Sequence, residues 1–411
     1  MDVGECGNHG RDASKRKRPC FEDAIGKEIR EQMLLSEQQE FLRDTLRGFV
    51  DAQIVPFAAE WDRNRTFPRQ AVEGLAALGA MGVTIPEQYG GAGLDQVSLS
   101  VTIEEVARGD ASTSTVISVQ NSLVCAVLFK FGTETQKQEL LVPLARGEKL
   151  GCFCLTEPAA GSDASGIATR AGRDGGDWVI SGSKIFISTG KEADIALIFA
   201  VTGKKEEKNT LTCFVVPTDT PGFHVVRIEK KLGQHASDTA ELLFDQMRVP
   251  DSYRVGEVDR GYKIALANLE AGRIGIASQS VGIAQAALEA AQQFAAERKT
   301  FGKTIDQHQA IAFMLAEMAT DVTAARQLTY HAASLQDAGA SGLKEACMAK
   351  LFASEMAERV TSKAIQIHGG YGYSNDYPVE RYYRDQRICQ IYEGTSQVQK
   401  MVISRQLSDG K

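Results

Sequence analysis

Proline is scarce in this 411-residue chain, at 10 residues, and tryptophan is rarer still, found only at Trp61 and Trp178. Those shortages exclude collagen-like and mucin-like chains and favour ordered elements over linkers. The eight cysteines stand at positions 6, 20, 125, 152, 154, 213, 347 and 389 without a repeated spacing, which argues against a disulfide framework. A zinc knuckle needs a two-residue gap and a second pair. Cys152 and Cys154 have one residue between them, so on a strand they face the same side as reduced core residues, and no metal site is expected. No run approaches 18 consecutive apolar residues, so no membrane-spanning helix is expected. An excess of positive charge is also missing: 46 Lys plus Arg stand against 53 Asp plus Glu, a formal net charge of −7. That balance opposes bulk attraction to nucleic acid or an anionic membrane, and a soluble protein is expected.

What is present is 43% apolar composition over a length that allows two to four packed units. Residues 1–30 carry the run Lys15-Arg16-Lys17-Arg18 with no apolar segment and with Asp2, Glu5 and Asp12, so they fit neither a secretory signal nor a mitochondrial transit peptide. They read as a solvated, disordered tail. Residues 31–150 read as all-α, with capping-box patterns at Ser36–Gln39 and Thr133–Gln136 and a first-turn proline at Pro68. At Gly151 the hydrophobic period switches, and short β-rich runs at 152–156, 178–181, 185–188, 195–201, 211–217, 223–228 and 240–244 fill the unit 151–257. No helical stretch separates them, which excludes βαβ crossovers and favours an antiparallel barrel or sandwich. From 258 to 411 the helical period returns, in stretches at 261–297, 306–338, 341–368 and 396–407. The fold class expected is therefore α+β multi-domain: an N-terminal helical domain, a middle β domain and a C-terminal four-helix bundle. Its Ala-rich, aromatic-poor helix faces leave apolar surface for contacts between subunits.

Three segments have compositions that packing does not require. Leu155-Thr156-Glu157-Pro158-Ala159-Ala160-Gly161-Ser162-Asp163 leaves a strand through small residues that let a backbone approach a ligand closely, although a surface turn has the same composition. Gln366-Ile367-His368-Gly369-Gly370-Tyr371-Gly372-Tyr373 closes a helix as either a glycine cap or a cradle for an aromatic ligand, and it does not complete a dinucleotide fingerprint. Ile391-Tyr392-Glu393-Gly394-Thr395-Ser396-Gln397 precedes the last helix. Glu393 there is either a helix-start acid or a partly desolvated base, the second being suited to taking a proton beside a carbonyl.

Together these segments resemble the acyl-CoA dehydrogenase family. Thr156 to Asp163 is similar to one family signature, and Arg381-Tyr382-Tyr383-Arg384-Asp385 through Ile391–Ser396 is similar to the other. Gly272-Arg273-Ile274-Gly275-Ile276-Ala277 and Arg298-Lys299-Thr300-Phe301-Gly302 match in order between them. The resemblance runs from about residue 33 to 407 and is greatest to the short-chain, butyryl-CoA-like branch. It implies FAD as cofactor, acyl-CoA as substrate, a homotetramer and electron transfer to an electron-transfer flavoprotein.

By the same resemblance, Phe153, Leu155, Thr156, Gly161, Ser162, Phe186, Ile187 and Ser188 hold the isoalloxazine. Arg298, Phe301, Gln309, Gln366, Ile367, Gly369 and Gly370 reach the FAD of a neighbouring subunit, and Thr395 and Gln397 meet its adenosine half. Ser162, Glu270, Arg273 and Gly394 are assigned to the substrate, and Glu393 to removal of the α-proton. A minority of the family places the base where this chain has Gly272, and Glu270 is off that register. Phe186-Ile187-Ser188 departs from the usual Trp-Ile-Thr, keeping a stacking face and a hydroxyl while altering the packing expected at the flavin.

The expected reaction is α,β-dehydrogenation of a short or short-branched acyl-CoA to the trans-2-enoyl-CoA, as part of fatty acid β-oxidation. The alternative is an aromatic or dicarboxylic substrate, benzylsuccinyl- or glutaryl-CoA-like; a glutaryl-type enzyme carries arginine where this chain has Ser114. A lyase on the same scaffold would lack the base that Glu393 supplies. The expected location is the cytoplasm in a bacterium or the mitochondrial matrix in a eukaryote.

Overall fold

The structure, a computed structural model, describes residues 35–206 and 208–409. The basic run and the rest of the expected 1–30 tail lie outside the described residues. The first described helices are α1 (Glu37–Gln53), α2 (Val55–Asn64), α3 (Arg69–Ala77), α4 (Gln96–Gly109), α5 (Ala111–Phe131) and α6 (134–145). Both expected capping boxes form, at Ser36/Gln39 and at Thr133/Gln136. Pro68 stands one position earlier than expected, as the N-cap of α3, because Arg69 takes the first helical position. Two stretches of π-helix, Val119–Cys125 in α5 and Lys137–Leu141 in α6, widen the turns.

By length and composition α5 is able to cross a membrane, against the expectation that no stretch is. Apart from Lys130 at its end, its polar residues are uncharged Ser, Thr, Gln and Asn, which keeps the segment apolar on average. Within the fold it is a core helix, with 72% of its apolar window buried.

The middle unit is one eight-stranded sheet in the order β6-β7-β3-β2-β4-β5-β8, with β1 added beside β4. Its strands are β1 (Gly151–Cys154), β2 (Arg170–Asp174), β3 (Asp177–Ser188), β4 (Ile195–Lys205), β5 (Lys208–Pro217), β6 (Phe223–Ile228), β7 (Thr239–Pro250) and β8 (Arg254–Val255). Most pairings are antiparallel, but β1 runs parallel to β4, Gly151 opposite Ile195. The 40-residue return through β2 and β3 supplies the long connection that a parallel neighbour needs. The runs expected at 178–181 and 185–188 are a single strand, β3, which passes through Gly182 at φ +149°, a conformation suited to glycine, with irregularities of pairing between Ile180 and Gly182 and between Lys184 and Ile187.

Strand β4 is buried on both faces, which explains its unbroken apolar run. Its Ala196 and Ile198 join Cys152, Cys154, Ile187, Phe214 and Phe244 in the core of the sheet. Its Leu197 and Phe199 pack on Val124, Val127, Leu128 and Leu144 of the helical unit. Cys152 and Cys154 do share one face, their sulfurs 3.6 Å apart and unbridged.

The C-terminal unit contains α7 (Gly261–Glu297), α8 (Gln309–Asp337), α9 (Leu343–His368), α10 (Val379–Gln386) and α11 (Ser396–Asp409), with a small hairpin of β9 (Lys299–Thr300) and β10 (Lys303–Thr304) after α7. At 37 residues, α7 extends about 55 Å. Alanines 277, 284, 287, 349, 353 and 357 line the seams of α7 and α9, letting the backbones approach closely around Met318, Val322 and Met356. The Arg381–Asp385 motif lies on α10, a short helix that the sequence reading passes over.

Candidate active site

Glu393 lies in the loop between α10 and α11 with φ +52°, and Gly394 follows at φ +89°. Two consecutive left-handed residues turn the glutamate out of the path to α11, a conformation that costs a non-glycine residue about 1 kcal/mol or more. The turn is held from two sides. Lys350 Nζ, from α9, donates to the Gly394 carbonyl at 2.6 Å. Gln399 Nε2, from α11, donates to the carbonyls of Gly394 (2.8 Å) and Glu393 (3.1 Å). Thr395 caps α11, its Oγ1 accepting from the Val398 N–H at 3.3 Å.

The Glu393 carboxylate points at α7. Its Oε2 is enclosed and has no hydrogen-bond partner among the described residues. It lies 2.7 Å from where a β-carbon on Gly272 would stand, so only glycine leaves the carboxylate room there. Burial pushes the Glu393 carboxyl above its ordinary value, opposed by the positive charges of Lys350 and Arg273. Arg273 is itself buried at 6% exposure, with its Nε unpartnered.

Glu270 is not brought into this group. Its Oε1 lies 3.1 Å from the β-carbon position of Gly342, at the start of α9.

Beyond Gly272 the seam between α5 and α7 is shut. A β-carbon on Gly275 would meet Ser118 Oγ at 2.6 Å. One turn further, fully buried Gln279 donates to Ser114 Oγ (2.8 Å), Thr115 Oγ1 (2.8 Å) and the Ala111 carbonyl (3.0 Å). Its Oε1 accepts from Cys389 (3.5 Å) and from the Tyr392 hydroxyl. Thr115 in turn donates to Gln234 Oε1 at 2.7 Å, which ties the middle unit to this floor.

The turn after β1 forms a second group of the expected residues. Phe153 packs its ring on Phe199, centroids 4.8 Å apart, while Leu155 and Thr156 are half-buried and Gly161 and Ser162 are exposed. The Thr156 carbonyl accepts from the Ile185 N–H at 3.0 Å, which sets the turn beside the β3 irregularity. There Phe186 takes φ +59° and stands 62% exposed. Ile187 points the other way, into the core, so only its backbone is available to a ligand; Ser188 is half-buried. Glu157 anchors the turn, accepting from the N–H groups of Ala168 (2.7 Å) and Thr169 (3.0 Å) and from fully buried Lys184 (2.8 Å).

A third group lies elsewhere on the chain. Arg298, Phe301, Ile367, Gly369 and Gly370 line a cavity of about 660 Å³ with His308 and Tyr371. Phe301 is 98% exposed, and Arg298 reaches over the Tyr371 ring at 5.7 Å. A β-carbon on Gly369 or Gly370 would meet nothing within 4 Å, so this backbone is open to approach. Gln309 and Gln366 are exposed near it without lining it, and Gln397 is exposed on α11.

Lys350, Gln279, Gln399 and Lys184 escape the sequence reading. A lone lysine or glutamine in a helix reads as a solvated face. The available signal for Lys350 is its register: Ala346, Ala349, Ala353 and Ala357 share its stripe, which makes it a charge on an apolar face.

Three family models match the chain in sequence order: the acyl-CoA dehydrogenase N-terminal domain at residues 36–148, the middle domain at 152–247 and the C-terminal domain at 259–408. The short-chain specific mitochondrial acyl-CoA dehydrogenase of Bos taurus is 46% identical over 373 residues, covering 91% of this chain and 90% of that protein. Butyryl-CoA dehydrogenase from Megasphaera elsdenii is 42% identical with a TM-score of 0.89, covering 91% of this chain and 99% of that one. A chain from the structure of the electron transferring flavoprotein of Acidaminococcus fermentans is 44% identical, also with a TM-score of 0.89, over 91% of this chain and 98% of its own. A helical, β, helical fold with an enclosed carboxylate is thus that of a flavoprotein oxidoreductase acting on CH–CH bonds. The chain belongs to the acyl-CoA dehydrogenase family.

Proposed function

We propose that the protein is an FAD-dependent dehydrogenase of short or short-branched acyl-CoA thioesters, forming the trans-2-enoyl-CoA, with Glu393 as the base. The observation that carries this reading is the enclosed, unpartnered Glu393 Oε2 held against Gly272 by a left-handed turn. In the proposed step the carboxylate takes the pro-R α-proton, the α and β carbons become doubly bonded and the β-hydrogen leaves as hydride. FAD, when bound, supplies the hydride acceptor. The Glu393 backbone N–H is the protein donor proposed for the thioester oxygen.

The residue types in the second and third groups suit FAD: an exposed Phe186 beside the hydroxyls of Thr156 and Ser188 for the ring system, and Arg298 with open glycine backbone for the pyrophosphate. In this reading the Arg298 cavity serves the FAD of a neighbouring subunit in a homotetramer, and the reduced cofactor passes its electrons to an electron-transfer flavoprotein. The likeness to the chain from the Acidaminococcus structure supports that acceptor.

The shut seam supports a short acyl group. Gln279 lies seven residues beyond Gly272, about 10 Å along α7, and Gly275 already touches Ser118 before it. A dicarboxylic acyl group would need a cation at this floor, where Ser114 instead accepts from Gln279. Anaerobic mixing with a panel of CoA thioesters tests the assignment by loss of flavin absorbance. Butyryl- and 2-methylbutyryl-CoA are expected to bleach the flavin fastest, and faster bleaching by glutaryl-CoA or octanoyl-CoA would contradict it.

A further inference from the structure

Lys350 is fully buried on the α9 face that otherwise carries Ala346, Ala349, Ala353 and Ala357. An apolar residue there would avoid the desolvation of an ammonium group, which costs several kcal/mol. Among the described residues Lys350 makes no contact ion pair, and its one hydrogen bond goes to the Gly394 carbonyl at 2.6 Å. That carbonyl belongs to the residue after Glu393, at the second of the two left-handed positions. The lysine therefore bonds the very turn that aims the base.

We propose that Lys350 is a positioning residue for Glu393: its buried ammonium clamps the Gly394 carbonyl and sets a fixed positive charge beside the carboxylate facing Gly272. The inference rests on the assignment of Glu393 as base and deepens it. The clamp and the charge are separable. Gln399 donates to the same carbonyl without a charge, so Lys350 alone adds the electrostatic part.

The ionisable groups around the pair come from three elements: Arg273 on α7, Cys347 on α9, and Cys389 before the turn. Burial lowers the Lys350 ammonium to about 8, with Cys389 and Glu393 opposing the fall, so it remains mostly charged at neutral pH. Arg273 carries the other positive charge facing Glu393 and stays in place when Lys350 is changed.

The test is the pH dependence of anaerobic flavin reduction by butyryl-CoA, measured on flavin-loaded protein. In Lys350→Gln and Lys350→Met, flavin absorbance is expected to persist while the acid limb of the rate moves up by about one pH unit, a roughly fivefold loss at the wild-type midpoint that approaches tenfold below it. Lys350→Arg should restore the midpoint toward wild type. Gln399→Leu should slow reduction without moving the midpoint, because it removes a donor and no charge. An unmoved midpoint in the neutral variants would overturn the proposal. So would failure of both neutral variants to take up flavin, which would assign Lys350 to folding. Glu393→Gln run in parallel separates the two claims: reduction at the wild-type rate in that variant overturns the base assignment, an outcome the Lys350 variants do not produce.

Discussion

Glu393 Oε2 and the missing side chain of Gly272 are two halves of one arrangement. A methyl group at 272 would stand 2.7 Å from the oxygen, closer than carbon and oxygen tolerate, so the carboxylate would swing aside. Displacement of a base by about 1 Å typically costs on the order of 100-fold in rate. Gly272→Ala is accordingly expected to lower the rate of flavin reduction by about that factor while the flavin content is retained, read by stopped-flow absorbance. The same contact accounts for the restriction on residue 272 better than helix propensity does, since glycine inside a helix costs about 1 kcal/mol relative to alanine. Glu393, Gly394 and Arg273 can be picked from the sequence because they fall in motifs. Lys350 cannot, because what marks it is its neighbours across α9 and the turn, which only the fold brings together.

At the scale of elements, the turn from β1 to β2 depends on Lys184 of β3. Although burial pushes the Glu157 carboxyl up, the Lys184 charge and the N–H groups of Ala168 and Thr169 carry it below its ordinary value. A carboxylate whose folded value is depressed stabilises above its unfolded value and loses that contribution as pH falls through the folded one. The turn is therefore most secure near neutral pH and weakens in acid, below about pH 4.5. Removing one partner of a buried pair leaves the other uncompensated, at about 3–5 kcal/mol. Lys184→Met should lower the urea midpoint accordingly, and Lys184→Met with Glu157→Leu should recover most of the loss; a double variant no better than the single would contradict this account.

The order helical, β, helical is legible from the change of hydrophobic period at Gly151 and its return near Gly261. The continuity of β3 is not, because the Ser181-Gly182-Ser183 interruption looks like a turn and is instead an irregularity within the strand, with Gly182 at φ +149°. The parallel pairing of β1 is equally hidden, since it depends on a partner some 40 residues away. Helix α10 escapes because four of its eight residues are charged, and its Arg384 and Asp385 are consumed by contacts to other units.

At the scale of the whole molecule, those contacts lock the three units around the Glu393 loop. Arg384 bonds Asp62 at 2.7 Å in the first helical unit, and Asp385 accepts from the Gln234 N–H in the middle one. Gln136 donates to the carbonyls of Ser252 (2.8 Å) and Arg254 (3.0 Å), joining the same two units from the other side. The seam beyond Gly272 is closed by Gln279, and the Glu393 carboxylate lies where α7 meets Leu123 of α5, a junction of packed elements of the kind that commonly holds a binding site. The Arg298 cavity opens at a separate place on the chain, which fits a cofactor shared between copies in the proposed tetramer. The central claim is that an acyl-CoA held at this junction loses its α-proton to Glu393. Its most direct test is rapid anaerobic mixing of flavin-loaded Glu393→Gln with butyryl-CoA. The account predicts that the thioester binds and perturbs the flavin spectrum while bleaching falls by at least about a thousandfold; bleaching at the wild-type rate would contradict it.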